Sequence, residues 1–232
     1  IGPNGAGKST LTKMLTTLLP PTSGSASVAG FDIARHSREA RRHLGYVPQT
    51  ISADGTLTGY ENLLLSCGLY GISRGEQSLR IEEALATLGL KDVAARLAGH
   101  YSGGMLRRLE IAQSILHRPT VLFMDEPTVG LDPTARRAVW SHLQGLRSVL
   151  RTTMIITTHY LDEVEELCDH VAMIAQGRIV AQGTPAELRG KVGPTASLED
   201  AFKDLLLAHP QDQLQQGYDS VGQDRRAEQR HG

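Results

Sequence analysis

The residues Gly2-Pro3-Asn4-Gly5-Ala6-Gly7-Lys8-Ser9 complete a G-x-x-x-x-G-K-S pattern at the very start of the sequence. Its glycines allow successive backbone N–H groups to turn inward around phosphate oxygens, and a helix must follow to add its positive N-terminus. After the loop and Thr10, the residues Leu11, Met14, Leu15, Leu18 and Leu19 fall at helical spacing. They predict one apolar stripe, with Pro20-Pro21 as its stop. A loop of this kind normally follows a buried strand, yet here it follows Ile1 directly, and the sequence does not open with Met. The expectation is an N-terminally truncated fragment. Such a fragment would bind a nucleoside triphosphate poorly, or fold poorly, until the strand is restored. Equal nucleotide affinity and melting temperature for this fragment and a longer version would refute that expectation.

The rest of the sequence supplies an α/β pattern. Gly45 to Gln49 reads as a short strand entering a loop, and Glu76 to Leu88 carries helical spacing through Ile81, Ala84, Leu85 and Leu88. A helix starts near Ser102, with Met105, Leu109, Ala112 and Leu116 on one face and Arg108 off it. Val121 to Met124 is a continuous apolar run, the pattern of a parallel strand buried on both faces, and Met154 to Thr158 reads as another. Val139, Leu143, Leu146 and Leu150 predict the crossover helix between them, hence a parallel sheet. Val171 to Ala175 and Ile179 to Ala181 form a hairpin through Gln176-Gly177-Arg178. A helix-rich insertion over about 58–118 divides the nucleotide-binding core, which ends near residue 189. Residues 190–232 form an extension. It has a linker from Gly190 to Thr195, a short amphipathic helix carrying Leu198, Phe202, Leu205 and Leu206, and a polar, disordered stretch from Pro210.

Composition excludes several classes. The 232 residues carry a net charge of -1, against the basic excess of a dedicated nucleic-acid binder. The cluster Arg35, His36, Arg38, Arg41, Arg42 and His43 reads as a solvated face. Two distant cysteines, Cys67 and Cys168, lack metal-ligand spacing and suit a reducing, cytosolic setting. No apolar run approaches the roughly 20 residues that span a bilayer, so a membrane role must come through a partner.

Two further sites bear chemistry. The run 121–124 ends in Asp125-Glu126, two carboxylates at the C-terminal end of a strand, where open α/β sheets bind ligands. Asp125 suits the Mg²⁺ shell, with Ser9, and Glu126 suits polarising an attacking water; Lys8 reaches the β- and γ-phosphates. Ser102-Gly103-Gly104 is a capped helix start with bare backbone donors, a second anion site. One triphosphate tail does not need two such helix ends from one chain. They suggest two subunits arranged head to tail, each completing the other's site.

Taken in order, these motifs resemble an ATP-binding cassette (ABC) transporter ATPase subunit: a Walker A loop at 2–9, a Q-loop Gln49 in Tyr46-Val47-Pro48-Gln49, a signature at 101–105, Walker B at 121–126, a D-loop Gly130-Leu131-Asp132, and a switch His159 in Thr157-Thr158-His159. The resemblance implies a P-loop NTPase (RecA-like) parallel-sheet core with a helical subdomain, and ATP hydrolysis. Gln49 would contact Mg²⁺ or water and report nucleotide state to a membrane subunit. Asp132 would lie near the opposite Walker A loop. His159 would contact the γ-phosphate, and Ser102 and Gly104 would grip the phosphate held by the other copy. The implied assembly is a homodimer or pseudo-dimer on a separate integral permease, at the cytoplasmic face of the membrane, with no nucleic acid. The common signature is Leu-Ser-Gly-Gly-Gln, whereas Tyr101 and Met105 stand at its ends here. That form, the stretch 126–133 and the element Ser197 to Phe202 resemble the daunorubicin-resistance-type ATPases that drive ABC-2-type permeases, which implies export. Family members place an adenine-stacking aromatic upstream of the Walker A strand, and no residue of this sequence takes that place. The rival readings are a non-transport ABC ATPase acting on DNA or ribosomes, and a nucleotide sensor without turnover. No long coiled-coil insertion favours the first, and Glu126 with His159 counts against the second.

Overall fold

The computed structural model describes residues 1–149, 152–193 and 196–207. Two compact units emerge, one of Ser9–Thr158 and one joining Ile1–Lys8 to the segment from His159.

In the larger unit, α1 (Lys8–Leu15) is shorter than its apolar spacing predicts. Thr17 takes φ 63°, Leu18 N–H reaches back to Lys13 O and Thr17 N–H to Met14 O. This pair of bonds around a left-handed residue closes the helix before the prolines. Leu18 is consequently 61% exposed and Leu19 40%, rather than on a buried stripe. β1 (Ser27–Val28) and β2 (Phe31–Asp32) form a hairpin whose turn residues Ala29 and Gly30 both have positive φ, as a tight two-residue turn requires. α2 (Ser37–His43) follows, with Ala40 buried and its arginines exposed.

The insertion comprises α3 (Gly59–Leu69), α4 (Arg74–Thr87), two single 3-10 turns, and α5 (Gly103–Ile115). Thr58 and Glu61 cap α3 reciprocally. Leu63, Ile81, Leu109 and Ile111 are wholly buried. Each such side chain contributes about 1.5–3 kcal/mol relative to exposure.

The core sheet of this unit is parallel, in the order β3 (Leu44–Val47), β4 (Val121–Asp125), β5 (Thr153–Thr157). α6 (Pro133–Val149) is the crossover, burying Val139, Trp140, Leu143 and Leu146; Leu150 lies outside the described residues. The central place of β4 explains its unbroken apolar run. β5 pairs with β4 alone among the described residues and leaves Ile155 38% exposed. It is therefore an edge strand here, not the doubly buried one that its composition predicts. The register sets Val47 opposite Met124 and Asp125 opposite Thr157, which aligns the C-terminal ends of the strands.

The smaller unit holds α7 (Leu161–Leu167), the hairpin β6 (Val171–Ala175) and β7 (Arg178–Gly183), α8 (Pro185–Gly190) and α9 (Leu198–Leu207). Gln176 and Gly177 supply two positive φ angles at the hairpin turn. Ile1 extends this sheet. Its N–H reaches Ala172 O, and Ile174 N–H reaches Ile1 O, both at 2.8 Å, a parallel bridge. Ile1, Val164, Val171, Met173, Ala181, Leu188 and Leu198 form one apolar cluster, with Phe202 and Leu205 packed on it. The predicted amphipathic helix thus exists as α9; the side chain of Leu206, residues 194 and 195 of the linker, and everything from Pro210 lie outside the described residues. Among the described residues, no helix is long and apolar enough to cross a membrane.

Candidate functional site

The loop 2–8 is held by its own backbone and by β6. A Cβ on Gly2 would stand 2.2 Å from Ile174 O, so only glycine lets the chain pass there. Gly5 and Gly7 have φ of 80° and 102°, angles that other residues rarely adopt. Ala6 N–H donates to Pro3 O, and Ala6 O accepts from Gly177 N–H at 2.8 Å. Asn4 and Gly5 are exposed at the tip, whereas Gly2 and Ala6 are buried. Lys8 is 5% exposed and its Nζ donates to Gly2 O at 2.7 Å and Pro3 O at 3.0 Å. The ammonium thus lies within the curl of the loop. Ser9 and Thr10 continue into the first turn of α1.

Within the larger unit, a polar group gathers at the end of β4. Ser9 Oγ donates to Asp125 Oδ1 at 3.1 Å, across 116 positions of sequence. Thr157 Oγ donates to the same oxygen, and Thr157 O accepts the Glu126 N–H at 2.9 Å. Gln49 Nε2 donates to Glu126 Oε2 at 3.3 Å. Asp125 is 2% exposed and Glu126 8%. Glu126 takes φ 47°, a left-handed angle that costs a residue other than glycine about 1–2 kcal/mol. The strain is held in place by Thr157, whose carbonyl and hydroxyl oxygens both accept from the Glu126 amide. Burial, and secondarily the Asp125 carboxylate, pushes the Tyr46 phenol above its usual range.

Ser102 is the N-cap of α5, its Oγ accepting from Met105 N–H at 3.3 Å. Ser102 and Gly103 are exposed while Gly104 is buried. A Cβ at Gly104 would come within 3.1 Å of Ala135 Cβ, so glycine permits the close approach of α5 to the start of α6. Asp132 caps α6, its Oδ1 accepting from Thr134 and Ala135 N–H at 2.9 and 3.0 Å. His159, in the smaller unit, lies with its ring tilted at 40° to that of Tyr160, the ring centres 4.2 Å apart. The unusual Tyr101 is 7% exposed, and its hydroxyl donates to Val93 O at 2.7 Å.

Two residues that sequence reasoning passed over sit beside this group. Arg107 and Glu110, each 3% exposed, form an ion pair at 3.0 Å on the inner side of α5. Arg107 also donates to Pro48 O at 2.6 Å and Gln49 O at 2.7 Å. Glu110 accepts from Ser52, through both its amide and its hydroxyl. Burial lowers the Arg107 pKa and raises that of Glu110; for Glu110 the Ser52 and Ala53 amides and Arg107 oppose the shift. The i, i+3 spacing of opposite charges on a helix is visible in sequence, but it is equally common on solvated faces.

A family model described as "ABC transporter" matches residues 1–129, more than half of the sequence. This protein belongs to the ABC transporter family. Among its relatives in that family, the daunorubicin/doxorubicin resistance ATP-binding protein DrrA of Streptomyces peucetius is 46% identical over 193 residues, 83% of this chain and 58% of DrrA. The probable multidrug ABC transporter ATP-binding protein YbhF of Escherichia coli is 40% identical over 210 residues, 89% of this chain and 36% of YbhF. The linearmycin resistance ATP-binding protein LnrL of Bacillus subtilis is 41% identical over 193 residues, 83% of this chain and 62% of LnrL. The chain thus spans between about a third and two thirds of the length of these relatives. A solved structure titled "Structure of ATP binding subunit of ABC transporter" superposes with a TM-score of 0.76 at 32% identity, covering 89% of this chain and 86% of that one. The α/β ABC ATPase fold expected from the motifs is therefore the fold observed.

Proposed function

We propose that this ABC family member is the ATP-binding and ATP-hydrolysing subunit of an exporter of drug-like or other hydrophobic compounds. It works as a homodimer or pseudo-dimer at the cytoplasmic face of the membrane, on a separate ABC-2-type permease. The observation that carries the reading is that Ser9 and Gln49, from two distant segments, hydrogen-bond to the adjacent carboxylates Asp125 and Glu126 at the end of β4. The names of the relatives support the drug-type cargo and export.

In this reading the loop 2–9 and Thr10 bind the triphosphate through backbone N–H groups and the α1 N-terminus, and Lys8 balances the β- and γ-phosphate charge. Ser9 and Asp125 offer hard oxygens 3.1 Å apart, close to the about 3.0 Å between neighbouring ligands of an octahedral ion with bonds of about 2.1 Å. That donor set fits Mg²⁺, with Gln49 as a further oxygen ligand; bound there, Mg²⁺ would neutralise the negative charge of the phosphate groups during transfer. Glu126 orients the attacking water, and His159 contacts the γ-phosphate and helps hold that water. Ser102, Gly103 and Gly104 grip the phosphate held by the second copy, and Asp132 lies near that copy's loop. Closure excludes bulk water and strengthens each of these electrostatic contacts. Hydrolysis and phosphate release remove the bridge and the dimer opens.

The test is Glu126→Gln in the intact protein. Phosphate release is expected to fall at least a hundredfold while ATP still drives dimer formation, seen by gel filtration. Near-normal turnover would remove Glu126 from this role. Co-purification with an integral membrane protein checks the permease partner separately.

A further inference from the structure

α5 begins at Ser102-Gly103-Gly104 and, one turn later, presents Arg107 and Glu110 inward. Arg107 holds two consecutive carbonyls, Pro48 O and Gln49 O, on its two terminal nitrogens. A planar guanidinium can do this; an ammonium cannot with the same geometry. Glu110 holds the chain just beyond, at Ser52. The backbone on both sides of the Gln49 side chain is therefore tied to one turn of one helix. That side chain in turn reaches Glu126 at 3.3 Å. The pair is almost fully buried and each charge is the other's counterion. Neither partner is part of the site itself.

We infer that Arg107 and Glu110 are positioning residues: they make the helix that carries Ser102 and the loop that carries Gln49 move as one body, so that a phosphate gripped at the start of α5 sets the place of Gln49 in the chain's own site. Each copy thereby couples its partner's nucleotide to its own water-orienting group. This inference rests on the ATPase reading above.

The test uses the intact protein and three variants. Arg107→Lys keeps the charge and loses the two-carbonyl grip. Arg107→Met with Glu110→Leu removes both charges together, so that no lone buried charge is left to unfold the protein. Ser52→Ala, at an exposed position, removes one hydroxyl only. Melting temperature, kcat and KM for ATP, and the Mg²⁺ concentration at half-maximal rate are measured for each. The first two are expected to lower kcat about tenfold or more, with little change in KM for ATP and a raised Mg²⁺ requirement. Ser52→Ala is expected to lower kcat about twofold to threefold. In a Gln49→Ala background, Arg107→Lys is expected to cause no further fall, because its effect passes through Gln49.

Turnover and Mg²⁺ dependence within twofold of the parent in the first two variants would overturn the inference and leave Arg107 a folding residue. So would a fall that multiplies with that of Gln49→Ala. If both buried-pair variants fail to fold, Ser52→Ala with unchanged turnover overturns it, and a lowered turnover absent in the Gln49→Ala background supports it. Wild-type protein without ATPase activity would overturn the ATPase reading, and this inference with it; full activity lost in Glu126→Gln alone would overturn only this one.

Discussion

Tyr101 replaces the leucine of the common ABC signature, and its hydroxyl makes a specific demand on a distant residue. A Cβ placed on Gly59, the first residue of α3, would stand 2.2 Å from the Tyr101 oxygen, 3.1 Å from its Cζ and 3.4 Å from Ala94 O. The first distance is more than 1 Å inside normal contact. Gly59→Ala must therefore push the ring aside and break its 2.7 Å bond to Val93 O. Overpacking of this kind costs about 1–3 kcal/mol. Tyr101→Phe alone removes the hydroxyl. Val93 O keeps the Arg96 N–H at 2.9 Å, so the loss is held to about 1 kcal/mol. With the hydroxyl gone, the nearest obstacle to an alanine at 59 is Cζ, a contact that a few tenths of an ångström relieves. The added cost of Gly59→Ala should then fall below about 1 kcal/mol, helped by alanine's smaller backbone entropy loss.

The cycle is measured by urea unfolding of the parent, the two single variants and the double variant. A coupling of about 1–2 kcal/mol is expected, with the double variant more stable than the sum of the singles allows. Because Tyr101 precedes the N-cap Ser102, Gly59→Ala should also weaken ATP-driven dimer formation, and Tyr101→Phe should restore part of it. If Gly59→Ala costs the same in both backgrounds, the steric account of Tyr101 is wrong.

Four other outcomes follow from the structure. Gly2→Ala sets a side chain 2.2 Å from a backbone oxygen that cannot rotate away, and should cost about 1–3 kcal/mol and weaken ATP binding; Gly145→Ala, exposed in α6 with nothing within 4 Å, should instead stabilise by about 0.5–1 kcal/mol, both read by urea unfolding. Thr157→Val removes the donor to Asp125 and should cost about 1.5–3 kcal/mol and lower phosphate release, with Thr157→Ser restoring both; an unchanged rate would deny Thr157 a part in placing the carboxylates. In α6, His142 Nε2 lies 3.1 Å from Arg108, which can only donate, and Nδ1 lies 3.0 Å from Thr87 O, which can only accept, so the ring is neutral with its proton on Nδ1. Burial, then the Arg108 charge, lower its pKa from 6.5 against the Thr87 bond. The folded state therefore binds fewer protons than the unfolded one. This contribution is full above pH 6.5 and is lost as pH falls from there through the lowered value, so His142→Gln should flatten the loss of stability just below pH 6.5.

Phosphate loops, strand-end carboxylates and helix caps are local patterns, and they were legible because their chemistry is completed within a few residues. The Gly2–Ser9 loop, the β4 carboxylates and the Ser102 cap are all of this kind. The stripe through Leu18 and Leu19 misled because helical spacing says nothing about where the backbone turns left-handed, and Thr17 does so without a glycine. The reading of β5 erred because burial of a strand depends on how many neighbours flank it, which its own residues do not encode. Arg107 and Arg108 are the most instructive pair. Consecutive arginines on a helix look like a solvated face. Yet Arg107 satisfies the carbonyls of Pro48 and Gln49, and Arg108 those of Leu88 and Gly89. A loop or a helix end pressed against another element carries carbonyls that water no longer reaches, and some donor must meet them. Which carbonyls these are is decided only when segments up to 59 positions apart come together. The residues that join the parts of a site into one working unit are therefore the least visible in a sequence, although the parts themselves are the most visible.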